Sequence, residues 1–325
     1  MKNASRIARI GIAALCVFAH ASAGAQAYPV KPIKIVVPFA PGGSSEIIAR
    51  SVAQKLSEQF GQQVIVDNRP GGAGNIGMQE VARADADGYT LILGHVGTLA
   101  MNPAMFKKLP YDPVRDFTPI SLLAVVPNIF VVHKDVPVRD FKEFLALSKA
   151  RPDLLNYGTA GIGSAGHLAF EYLKMVTGAS VTHVPYKGTG PMLQDLLAGR
   201  LQSTSAGTPP LLPHIKAGTL RPIAVGSPKR ISSLPDVPTV QELGYPGFET
   251  TQWYGLLAPA RTPEAVIRRL QEEIVKALHS REVQERFAAD GTLAVGNTPA
   301  EFGEFIQREM TRWGDVVRAA GVKPE

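Results

Sequence analysis

At 325 residues, with 45% hydrophobic and 19% charged side chains, the chain is long enough for two domains and has the composition of a globular protein. Its net charge of +6 falls to +3 once residues 1–27 are set aside as an export segment, because three of the 34 basic residues and none of the 28 acids lie there. That balance is too small to point to nucleic acid, and no basic run is interleaved with aromatics.

Residues 1–27 read as a signal peptide. Lys2, Arg6 and Arg9 form a basic start, Ile10 to His20 a short apolar run, and Ala21-Ser22-Ala23 and Ala25-Gln26-Ala27 two small-x-small cleavage sequences. Cleavage is expected after Ala27, with Ala23 as the alternative. The apolar run is too short to span a bilayer. The chain's one cysteine, Cys16, lies inside it behind Leu15, which does not suit a lipoprotein signal. A soluble exported chain without disulfides is expected.

The mature chain opens on a strand, Ile33–Val37, a proline- and glycine-rich loop, Pro38–Gly43, and a helix from Ser44 with Ile48, Val52, Leu56 and Phe60 at every fourth position and Gly61 as its stop. This is either the first β-α turn of a sheet or, in addition, an anion site, since free N–H groups and the helix dipole point outward there. A strand at Gln63–Val66, a loop at Asn68–Gly72, a helix at Asn75–Arg83 and a strand at Thr90–Leu93 continue a β-α-β-α-β order that argues for a parallel sheet. Asn102 to Pro119 is too proline-broken for a long helix. Ile120–Val126 and Ile129–His133 are apolar and β-rich. A second α/β series runs from Val138: a helix spaced by Phe141, Leu145 and Ser148 that ends before Pro152, strand 155–158, glycine loop Gly161–Gly166, helix 167–176, strand 181–184, a loop through Tyr186 and Gly190, a helix from Pro191, strand 201–205, helix 209–217 and strand 222–225. Trp253–Ala258 reads as a strand returning to the first unit. Thr262-Pro263 starts one amphipathic helix, and the capping box Thr298-Pro299-Ala300-Glu301 starts the last. Two series joined by two extended passages predict two lobes with a cleft between them.

Gly72–Gly77 and Gly161–Gly166 both fit G-x-G-x-x-G, but the strand ends that follow hold Gly94-His95-Val96 and His183-Val184-Pro185, with no acid for a ribose hydroxyl. No Gly-Lys-Ser/Thr follows a glycine run. Ser164 lacks the first glycine of a nucleophile elbow and reads as a helix-start donor. His167 and Glu171 form the only helical i,i+4 pair of potential metal ligands, more often a packing contact. The expectation is no catalytic residue, no metal and no cofactor. Trp253 and Tyr254 suit a cleft wall or a lobe junction, Tyr186 a binding loop, and Arg69 a ligand contact or an ion pair.

Pro38-Phe39-Ala40-Pro41-Gly42-Gly43, Asn68-Arg69-Pro70-Gly71-Gly72, Gly161-Ile162-Gly163-Ser164 with His167, His183-Val184-Pro185-Tyr186-Lys187-Gly188, Pro235-Asp236-Val237-Pro238-Thr239 and Trp253-x-Gly255 stand in one order from Tyr28 onward. This set closely resembles the periplasmic solute-binding proteins of tripartite tricarboxylate transporters, the Bug or TctC family. The resemblance implies a two-lobe α/β clamshell of the periplasmic-binding-protein kind (type II-like), each lobe a mostly parallel sheet flanked by helices, with two hinge crossings. Residues 28–127 plus 252–325 would form lobe 1 and residues 128–251 lobe 2. It implies that the loop of Phe39, Ala40, Pro41, Gly42, Gly43, Ser44 and Ser45 faces the ligand, and that the loop from Thr159 through Ala160 and Gly163 to Ser164 takes a carboxylate on N–H and hydroxyl groups. Thr98, His167, Tyr186, Gly207, Thr208 and Trp253 complete the expected site. Two departures stand out. Glu46 replaces a frequent Asp, and Ala206 falls where amino-acid binders carry an Asp for the ligand's ammonium. The expected ligand is therefore a small organic carboxylate other than an amino acid. The expected partners are the permease subunits of a tripartite membrane transporter, with no nucleic acid, and the protein is expected to act as a periplasmic monomer. A binding module for a sensor kinase is the alternative; an exported hydrolase would need a nucleophile and base that the sequence does not offer.

Overall fold

The computed structural model describes residues 28–321; the export segment read at residues 1–27 lies outside the described residues. β1 (Ile33–Val37) and α1 (Ser44–Phe60) flank the opening loop, and α1 ends on Gly61 at φ +61°, a left-handed cap that glycine adopts without strain. β2 (Val64–Asn68), α2 (Asn75–Ala82) and β3 (Thr90–His95) follow, with β1 lying between β2 and β3 and parallel to both. After β3 the chain makes a wide π-type turn over Gly97–Met101 and a four-residue helix, α3 (Asn102–Met105).

The two apolar segments expected at 120–126 and 129–133 are one strand, β4 (Phe117–His133). Pro127 does not break it; the chain changes partners there. Up to Pro127 β4 pairs with the returning strand β9 (Thr251–Pro259), and from Asn128 it pairs with β7 (Ser203–Gly207) and β8 (Leu220–Val225). Between these lie α4 (Phe141–Ala150), β5 (Asn156–Thr159), α5 (Ala165–Thr177), β6 (Thr182–Pro185), α6 (Thr189–Leu197) and α7 (Thr208–Lys216). β5 sits between β6 and β7, parallel to both. Each lobe thus has a parallel β-α-β centre, and β4 and β9 add antiparallel pairs where they cross.

The C-terminal part returns to lobe 1 as α8 (Glu264–His279), α9 (Arg281–Ala289), β10 (Leu293–Ala294) and α10 (Pro299–Ala320). α9 and β10 escape a reading by periodicity because α9 buries only Val283 and Phe287 and β10 is two residues long. Strand alternation sorts the cores. In lobe 1, Ile33, Ile35 and Val37 pack on Ile48 and Val52 of α1 and on Leu270 and Ile274 of α8, while Val36 and Ile92 face Met78, Phe302 and Trp313. In lobe 2, Phe130, Val132 and Tyr157 meet Phe144, Phe170 and Leu173, while Ile129 and Val131 meet Met192, Leu196 and Leu211.

Candidate functional site

The strand ends of both lobes open on one interlobe cavity. Lobe 1 supplies Phe39, Ala40 and Gly43 from the opening loop, Ser44 and Ser45 from the start of α1, His95 from β3, and Gln252 and Tyr254 from β9. Lobe 2 supplies Ala160, Ser164, Ala165 and Gly166 around the start of α5, Thr189 at the start of α6, and Ser205, Ala206 and Gly207 from β7. None of these side chains is formally charged when His95 is neutral. The inner compartment measures about 40 Å³ and adjoins an outer cleft of about 590 Å³, with Phe39, Ala160 and Ser164 common to both. Tyr186, Lys187 and the Pro70–Gly74 loop line the outer part.

Four helices, α1, α5, α6 and α7, begin at this cavity and turn their positive dipole ends to it; free N–H groups come mainly from α1 and α5, because proline takes the third position of α6 and the second and third of α7. In α5, Ser164 is the cap: its Oγ accepts from His167 N–H at 3.4 Å. That leaves the N–H groups of Ala165 and Gly166 facing the cavity. Ser205 is buried, lines the cavity and has no hydrogen-bond partner for its Oγ. Glu46 acts as a cap, its Oε2 accepting from Gly42 N–H at 2.8 Å while Oε1 accepts from Arg50.

Two polar networks hold the site, one within the lobe 1 lining and one behind the lobe 2 loop. In lobe 1, Gly97 N–H donates to His95 Nδ1 at 3.0 Å, so the ring proton sits on Nε2 and is given to Gln252 Oε1 at 3.1 Å. The Tyr254 hydroxyl also donates to Gln252 Oε1, at 2.6 Å, and Gln252 Nε2 donates to Asn128 Oδ1 on β4. Burial lowers the His95 pKa to about 4, which keeps the ring neutral and fixes its donor and acceptor ends. In lobe 2, Tyr157, His183 and His167 stack in a column, with the two histidine rings 4.1 Å apart. His183 Nε2 is 2.7 Å from Thr159 Oγ1, and His167 Nδ1 accepts from Gly163 N–H at 3.1 Å. Burial holds both rings well below the usual histidine range, His167 to about 4 and His183 to about 3.

These contacts rearrange the expected site. Phe39, Ala40, Gly43, Ser44, Ser45, Ala160, Ser164, Ala206 and Gly207 line the inner cavity, and Tyr186 the outer cleft, its hydroxyl donating to Asp195 at 2.7 Å. Thr159, Gly163 and His167 stand behind the loop, because Thr159 Oγ1 and Gly163 N–H are already engaged by the histidine column. Thr98 is fully buried beneath His95, exchanging hydrogen bonds with its backbone. Thr208 points away toward Gly291. Trp253 is on the opposite face of β9 from Gln252 and Tyr254, buried against Phe302 and Phe305 and donating to Glu309 at 2.7 Å. His167 and Glu171 do not converge: Glu171 accepts from Tyr157 and Lys174. Arg69 pairs with Asp67 at 2.9 Å. Pro41 and Gly42 meet the other lobe, where a side chain on Gly190 would stand 2.5 Å from Pro41 O and one on Gly42 would stand 3.0 Å from Gly190 Cα.

Two lobes joined by crossing strands, with helix N-termini from both turned onto the cavity between them, define a two-lobe solute-binding clamshell. The model of the "Tripartite tricarboxylate transporter family receptor" family, TctC, matches residues 48–322, and the chain belongs to that family. Protein BugT of Bordetella pertussis is 38% identical over 318 residues, covering 98% of each chain. A structure of Rhodopseudomonas palustris MatC with bound malate is 34% identical with a TM-score of 0.85 over 89% of this chain and 100% of that one. A structure of R. palustris Rpa4515 with adipate is 38% identical with a TM-score of 0.89 over 92% and 100%.

Proposed function

We propose that this chain captures a small organic carboxylate, a di- or tricarboxylate or an aromatic acid, between its lobes outside the cytoplasm and delivers it, without chemical change, to the membrane subunits of a tripartite transporter. The observation that carries this reading is the cavity without formal charge onto which four helix N-termini open. Each such terminus favours an anion by about 0.3–1 kcal/mol, more when partly buried. Nothing lining the inner cavity can neutralise an ammonium, since Ala206 stands where an acid would be needed. An amino acid would bury an unpaired cation there, which is costly.

An inner compartment of about 40 Å³ suits one carboxylate group. The rest of the ligand would extend into the outer cleft toward Lys187. The malate and adipate held by two relatives differ in length, which supports one fixed carboxylate subsite with an open far end. We take residues 28–127 with 252–325 as one lobe and 128–251 as the other, since β4 changes partners between Pro127 and Asn128. Closure about these crossings would couple capture to docking, with the protein acting as an exported monomer.

Calorimetry with adipate, malate, citrate, benzoate, aspartate and glutamate tests the reading. Saturable binding of at least one acid and none of either amino acid is expected; tight binding of an amino acid with no response to any of the acids would overturn it. Mass spectrometry of the exported protein is expected to find Tyr28 as its first residue.

A further inference from the structure

The two crossing strands have a second face. Val126 on β4 and Gln252 on β9 turn toward Gly207 and the cavity. Val125, Pro127 and Thr251, one residue out of phase, turn the other way, and there they floor a separate pocket of about 620 Å³. One wall is the segment Ser227–Ser232 that follows β8. The other is the end of α9 with Gly291–Ala294. The pocket therefore has its floor on the hinge and a wall on each lobe.

Its chemistry is mixed. Ile231, Ala288 and Leu293, the last 64% exposed, give it an apolar body. Thr292 contributes to its lining but is only 3% exposed, and its hydroxyl is buried away from the open space of the pocket. The hydroxyls of Thr208 and Ser233, without partners, converge on Gly291 beside it. Of the charged lining groups, Arg230 is held by Glu242 and Glu249 by Arg312, whereas Lys229 has no carboxylate partner among the described residues.

We propose that this hinge-face pocket is a second binding site, which takes a compact organic anion with an apolar body, and that its occupancy is linked to lobe closure. Lys229 supplies the countercharge, and the Val125–Pro127–Ile231 surface the apolar contact. Because the walls belong to different lobes, their separation follows the hinge angle. A molecule that fills the pocket then binds one closure state better than the other, and shifts the cleft's affinity reciprocally. The proposal stands on the pocket's own residues and does not need the cleft ligand to be a carboxylate.

The amphipathic dye 8-anilinonaphthalene-1-sulfonate is a direct probe, read by fluorescence titration of the mature chain. One saturable site is expected. Ala288→Trp fills the pocket from an exposed helix position and should weaken the dye by more than about tenfold, while Met175→Glu, an exposed change on α5 outside the pocket and the cleft, should leave it within about twofold. Lys229→Glu, a surface change that spares the fold, should weaken it by about fivefold or more at low salt. Binding that survives both Ala288→Trp and Lys229→Glu, or that is lost in Met175→Glu instead, overturns the site. Gly190→Val keeps the lobes from meeting and should shift the dye's Kd by about threefold or more. An unchanged Kd in a variant whose circular dichroism shows it folded overturns the linkage.

Discussion

A carboxyl group at position 206 would stand in a cavity that holds no formal positive charge, opposite the groups that would receive a ligand's own carboxylate. Like charges in a desolvated site repel strongly. Ala206→Asp is therefore expected to weaken binding of whichever acid binds the native protein by about tenfold or more near pH 7, measured by calorimetry. The histidines give a second expectation at this scale. His95, His167 and His183 are held neutral in the fold, with pKa values lowered by burial to about 4, 4 and 3, against 6.5 for the unfolded chain. The unfolded state thus takes up protons first. Their contribution to stability is complete above about pH 6.5 and is lost as pH falls toward about 4, His95 alone accounting for ~3 kcal/mol. Urea unfolding followed from pH 7 to pH 4 should show this decline, and His183→Gln should make it shallower. Sequence reading identified Ser164 as a helix-start donor because a cap is a local device. It could not assign His95, whose partner Gln252, itself held by Asn128, arrives only through the pairing of β3 with β9 and of β9 with β4.

Local signals served well wherever an element is closed by its own neighbours. The capping box at Thr298 is present in full, with Thr298 Oγ1 accepting from Glu301 N–H and Glu301 accepting from Thr298 N–H. Because α10 packs Phe302, Ile306 and Trp313 into lobe 1, loosening its first turn is felt by the whole lobe. Thr298→Ala should lower the unfolding free energy by about 1 kcal/mol, read from urea denaturation. Where tertiary contacts decide, the sequence was silent. β4 continues through Pro127 because strands of both lobes pair with it on either side of that residue. The glycine loop at Thr159–Ser164 was visible as a loop, but which of its polar groups remain for a ligand is decided by two flanking histidines, His167 taking the Gly163 N–H and His183 the Thr159 hydroxyl.

At the scale of the molecule, closure rests on backbone meeting backbone. Ala40 to Gly42 of one lobe touch Gly188 to Gly190 of the other, and no side chain beyond hydrogen fits at Gly190. Gly190→Val should hold the lobes apart, weaken ligand binding by about tenfold or more, and abolish the ligand-induced fall in radius of gyration that X-ray scattering is expected to show for the native protein. The two-lobe plan was legible from two β-α series with extended joins. The pocket behind the hinge was not, since its walls come from Ser227–Ser232 and from Gly291–Ala294, segments with no periodic signal.

Both tryptophans of the chain, Trp253 and Trp313, donate to one carboxylate, that of Glu309, at 2.7 and 3.0 Å, on the side of β9 turned away from the cleft. The protein's natural fluorophores are therefore tethered together in the interior of one lobe, shielded from anything that enters between the two. Their emission should register melting of that lobe as a red shift and keep its maximum when the cleft fills. An optical sensor built on this protein would need its dye or its tryptophan placed elsewhere, at the rim where Ala40 meets Gly188.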